Sequence, residues 1–213
     1  MKKLLDAINK GDLDTVKRLI GKYPNLLNCR SENLRKRDEG QSPLRVAIKN
    51  CMYEIVQFLA ENGANVNDYT SNDDMYISHQ AIYTVIRRTI PTKYVGSYED
   101  AIKILKLLID NHLNINIENA RGNCFIEGLA LSRGIIHNDL YSFDFPNKLK
   151  YMDWNNEFDI QVTYSQFKEV FSLLLEHGVN TDIPNYWLQM DNGMSEAIIK
   201  WKSNILKLCK EDM

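Results

Sequence analysis

The sequence predicts an all-α fold, a helix-turn-helix solenoid of about five irregular repeats. Three observations lead there. The stretch from Gly40 to Asn67, GQSPLRVAIKNCMYEIVQFLAENGANVN, contains two short amphipathic helices. Its closing segment recurs, as LAENGANVN at 59–67, LIDNHLNIN at 108–116 and LLEHGVNTD at 174–182. Its opening helix recurs too, as AINK at 7–10, AIKN at 47–50, AIYT at 81–84 and AIIK at 197–200. A helix pair this small cannot bury its own apolar side, so the copies must lie against one another.

The first repeat covers residues 1–36. Leu4, Leu5, Ala7 and Ile8 form the apolar side of its first helix, and Val16, Leu19 and Ile20 that of its second, read as Thr15–Lys22. Gly11-Asp12 makes the turn, and Asp12 or Asp14 is placed to cap the second helix. Tyr23-Pro24 ends it, and Leu26 and Leu27 are expected to cover the open end of the stack. The charged run RSENLRKRDEGQ at 30–41 reads as a hairpin between repeats. Its evenly mixed signs argue for a solvated loop over a phosphate site.

The second repeat, 37–69, opens with a Ser42 cap and Pro43 at the first helical position, where no N–H is needed. Leu44, Val46, Ala47 and Ile48 face inward, and Asn50 and Cys51 break the helix. The next helix runs from Tyr53 to Glu61 and ends at Asn62-Gly63, since glycine accepts the left-handed cap conformation.

The third repeat, 70–119, carries an insertion at 87–98: sixteen positions separate Ala47 from Gly63, but thirty-one separate Ala81 from His112. Its second helix resumes at Glu99. The fourth, 120–184, carries a longer insertion at 133–164, forty-nine positions separating Leu129 from Gly178. That insertion holds Tyr141, Phe143, Phe145, Tyr151, Trp154, Phe158 and Tyr164 among acidic residues. Such aromatic density predicts an ordered lobe, packed on the convex side or offered to a basic partner. Gln166–His177 is the following helix, and a two-helix capping pair is expected over 185–213, the helices centred on Ala197–Trp201 and on Ile205–Leu208.

Gly40, Ser42, Pro43, Leu44 and Ala47, followed by Gly63, Ala64, Asn65, Val66 and Asn67, resemble an ankyrin repeat. Arg45 stands where that family has His, and His79 falls at the same place in the third repeat. The resemblance implies one domain over 1–213, with a concave face and loops that are free to contact another protein. At His79 it implies a structural hydrogen bond to the loop. Mapping the family's recognition positions gives Asp38, Glu39, Gln41, Lys49 and Asn50, then Asn72, Asp73, Met75, Tyr83 and Thr84, then Arg121, Asn123, Leu131 and Ser132. Tyr69 and Tyr76 join them on the third hairpin, and Tyr151, Trp154 and Phe158 in the insertion. Tyrosine suits an interface, having a large apolar body and a polar tip.

Composition narrows the classes. The chain has 213 residues, and a net charge of −2 gives no electrostatic case for nucleic acid or an anionic membrane. Cys29, Cys51, Cys124 and Cys209 show no paired spacing, so reduced thiols are expected. The opening MKKLLDAINK has too short an apolar run for a signal peptide, and no run approaches the roughly 20 residues a membrane span needs. The expected location is cytoplasmic, or a host cytosol if the protein is exported. His79, His112, His137 and His177 form no metal-ligand spacing, and GxSxG, GxGxxG and GxxxxGK[ST] are absent. No catalytic, cofactor or metal residue is therefore assigned. The expectation is a monomeric, non-enzymatic protein-binding module, whether adaptor, inhibitor or effector. One alternative is an immunity- or antitoxin-like inhibitor of a basic enzyme, suggested by the acidic insertion. The other is an enzyme or small-ligand binder with a site between the insertion and the repeats.

Overall fold

Among the described residues, four helix starts are closed by the same chemistry. The first backbone N–H groups of a helix lack intrahelical partners, and a side-chain oxygen just before the helix can accept from one of them. Asp12 accepts from Thr15 N–H at 3.0 Å, Ser42 from Arg45 at 3.4 Å, Ser97 from Asp100 at 3.1 Å and Asn123 from Ile126 at 3.2 Å. In a computed structural model of the protein, the described residues are 1–31, 39–71, 74–89, 96–136, 160–190 and 193–210. They include helices α1 Lys2–Asn9, α2 Leu13–Lys22, α3 Pro43–Lys49, α4 Tyr53–Glu61, α5 Ile77–Arg87 and α6 Tyr98–Asp110. Beyond these come α7 Cys124–Ile136, α8 Ile160–Glu176, α9 Asn185–Leu188 and α10 Met194–Lys210. A 3-10 helix spans Pro24–Asn28, and β1 Tyr69–Thr70 pairs antiparallel with β2 Met75–Tyr76.

The chain forms two compact units, one of residues 1–84 and 95–114, the other of 85–94 and 115–213. In the first, α1 packs on α2 and α3, α3 on α4, and α4 on α2 and α6. Leu4, Ile8, Val16, Leu44, Val46, Ile48, Val56, Leu59, Leu105 and Leu108 are all buried in this unit. In the second unit α7 packs on α8 and α10, α8 on α10, and α9 on α10. Its interior holds Phe125, Ile126, Leu129, Phe167, Phe171, Leu174, Ile198 and Ile205, with Phe125 and Phe171 edge to face at 5.2 Å.

Neighbouring repeats are tied by a recurring asparagine bridge. Asn28 Nδ2 donates to the Gly63 carbonyl (3.2 Å), while its Oδ1 accepts from Asn65 N–H (2.8 Å). Asn67 does the same to His112 (3.2 Å) and Asn114 (2.7 Å), and Asn116 to Gly178 (3.1 Å) and Asn180 (2.7 Å). An amide carries donor and acceptor side by side, so one side chain satisfies a carbonyl and an N–H two residues apart. The Asn that closes the segments at 59–67 and 108–116 is thus the link to the next copy, and Asn28 plays the same part after the first helix pair.

Several expectations change. The 3-10 helix packs against α2 and α3, so Leu27 is buried within the first unit instead of covering an open end. The Asn123 cap matches Ser42, which aligns Gly128, not Leu129, with Ala47. Helix α7 runs on to Ile136 and α8 begins at Ile160, taking both ends of the expected 133–164 insertion into helices. Ile160–Tyr164 contains β-branched Val162 and Thr163, weak helix formers that conceal the start from a propensity reading. Burial decides it: Thr163 Oγ1 donates to the Thr89 carbonyl at 2.9 Å, and the Tyr164 ring lies 6.0 Å from that of Trp201. The expected capping pair is the short α9 followed by one unbroken 17-residue helix, α10. Lys202, Ser203 and Asn204 look like a break but are its outer face, since Ile198, Trp201, Ile205 and Cys209 lie on one buried side.

Candidate functional site

The hairpin β1–β2 is held from both ends. Arg45, wholly buried, donates from Nη1 to the Met75 carbonyl at 2.8 Å. Arg30 pairs with Asp68 at the start of the hairpin and also donates to the Gly40 carbonyl at 3.2 Å. On this support the Tyr69 and Tyr76 rings stand 4.6 Å apart, tilted by 42°. The Tyr69 hydroxyl donates to Asp74 at 2.9 Å, and Tyr76 lies 5.9 Å from the ring of His79. Both tyrosines and Met75 are partly exposed. Buried His79 shares a hydrogen bond with the Ser78 hydroxyl at 3.2 Å, and Arg45, at the same place in its own repeat, is the residue that donates to Met75 of the hairpin.

The other predicted positions separate into groups. Glu39 is exposed; Lys49 and Asn50 are partly exposed at the end of α3. Lys49 donates to Gln41 at 3.3 Å, and Asn50 donates to Asn9 at 2.8 Å, joining the ends of α1 and α3. Tyr83 is partly buried on α5. Gln41 is buried, so it supports Lys49 and presents little surface of its own. In the second unit Asn123 is also buried, capping α7 and donating to the Asn180 carbonyl at 2.7 Å. Its neighbour Arg121 pairs with Glu127 at 2.8 Å. Asp38, Asn72, Asp73, Tyr151, Trp154 and Phe158 lie outside the described residues, as does most of the aromatic insertion.

Sequence reasoning missed Arg30, Asp68 and Arg45 as supports. Arg45 signalled itself only as a departure from the family's His. Cys124 is fully buried, and burial, reinforced by the charge of Glu127, pushes its thiol up to about 12. It stays protonated at neutral pH and is unsuited to act as a nucleophile. Among the described residues no group of His, Cys, Asp and Glu is placed to hold a metal ion, and no helix is long and apolar enough to cross a membrane.

A family model for ankyrin repeats, in three copies, matches residues 4–119. That is more than half of the chain, and the protein belongs to the ankyrin repeat family. No curated protein matches it. Ankyrin repeats are general protein–protein interaction modules, typically without catalytic activity.

Proposed function

We propose that the protein is a non-enzymatic binding module whose first unit engages a protein partner through the β1–β2 hairpin and the end of α3. The observation that carries this reading is the Tyr69–Tyr76 pair, partly exposed on a hairpin that two arginines support. Pre-ordered aromatic side chains lose little conformational entropy on binding. Glu39, Lys49, Asn50, Met75 and Tyr83 complete the proposed surface, with Arg121 a separate contact of the second unit. The role is that of an adaptor, inhibitor or effector, acting as a monomer in a cytosol.

Cross-linking in the native cells tests this, using the wild-type chain, a Tyr69→Ala/Tyr76→Ala variant and a control at exposed Lys103 of α6, Lys103→Glu. A partner recovered with the wild type and the control but lost with the tyrosine variant supports the surface. Equal recovery by all three rejects it. Truncating interface tyrosines of this kind costs about 1 to 2 kcal/mol each.

A further inference from the structure

The outer side of the first helix pair carries a feature that the hairpin surface does not use. Lys3, Lys10, Arg18 and Lys22 line a groove of about 440 Å³ along α1 and α2. Its carboxylates are Asp6 and Asp12, and Asp12 is already engaged in capping α2. Among the described residues none of the four cations makes a close ion pair, although Lys10 and Arg18 act on Asp12 through their charge and the Lys22 ammonium lies over the Tyr23 ring, 5.2 Å from its centre. The groove shares Lys3, Leu19 and Tyr23 with a largely apolar hollow of about 430 Å³ that Met1, Lys2, Leu4 and Leu26 complete. Tyr23, at 45% exposure, stands where the two meet.

We propose that this composite groove is a second docking surface, for an acidic protein segment that carries a large apolar side chain next to its carboxylates. The cations meet the acids, and the hollow takes the apolar anchor against Tyr23. A nucleic acid fits less well. Helix α1 has eight residues and is about 12 Å long, which limits the number of phosphates in reach. The apolar hollow also has no use for a sugar-phosphate backbone.

A fluorescein-labelled peptide of consecutive glutamates followed by Leu-Phe, titrated by anisotropy at low salt, provides the test. Binding by the wild type is expected, weakened about tenfold by Lys10→Glu/Arg18→Glu and reduced by added salt. Replacing Leu-Phe by Ser-Ser in the peptide, or Tyr23 by Ala in the protein, is also expected to weaken it. Lys103→Glu/Lys200→Glu, with the same change in net charge, is expected to bind as the wild type does. So is Tyr69→Ala/Tyr76→Ala, which separates this groove from the hairpin surface. If Lys10→Glu/Arg18→Glu loses helix content by circular dichroism, Lys3→Glu/Lys22→Glu replaces it. The proposal is overturned if the wild type does not bind, if the groove variants bind unchanged, or if the control weakens binding equally. Tighter binding of a single-stranded oligonucleotide of equal charge at the same residues would also overturn it.

Discussion

His112 has φ of +66° at the position where Gly63 and Gly178 have +90° and +74°. A side chain in that left-handed region costs about 1 kcal/mol that glycine avoids. His112→Gly is therefore expected to raise stability by about 0.5 to 1 kcal/mol, measured by urea denaturation, even though it removes side-chain atoms. Asp12 gives a pH-dependent counterpart. Its hydrogen bonds from Thr15, backbone first, hold its carboxyl below the ordinary 3.8. A lowered folded value means that the cap stabilises above the unfolded value and is lost as pH falls through the folded one. Asp12→Ala should thus be less stable than the wild type at neutral pH, and the gap should close in acid. Both residues could be read from the sequence, His112 by alignment with glycine and Asp12 by its place before a helix. Arg45 could not, because what a buried guanidinium donates to depends on a hairpin thirty residues further along.

At the scale of elements, the asparagine bridges and α10 make separable claims. Asn67→Ala leaves the His112 carbonyl and Asn114 N–H to water and is expected to cost about 1 to 2 kcal/mol. Asn67→Asp keeps the acceptor and loses the donor, so a smaller loss is expected in the same denaturation series. Asn204→Pro distinguishes one C-terminal helix from two. In a break between helices proline would be tolerated, whereas inside the continuous α10 it is expected to cost about 3 kcal/mol. Helix pairs with short turns were legible from their periodicity and caps. The full extents of α7, α8 and α10 were not; in α8 and α10, burial of Thr163, Trp201 and Ile205 outweighed weak local propensity.

For the whole molecule, each unit has its own interior. A fragment of residues 1–114 is expected to unfold cooperatively, followed by circular dichroism, because α1 to α4 and α6 bury their apolar faces on one another. Its midpoint should fall below that of the full chain, since residues 85–94 then lose the second unit to which they belong.

The sequence alone determined the family, the all-α class and the caps at Asp12 and Ser42, because these depend on residues close together in the chain. Tertiary structure alone decided which side chains support the Tyr69–Tyr76 pair, that four cations converge on one groove, and that the last helix is continuous. Those outcomes depend on which distant surfaces meet, and no local pattern encodes that.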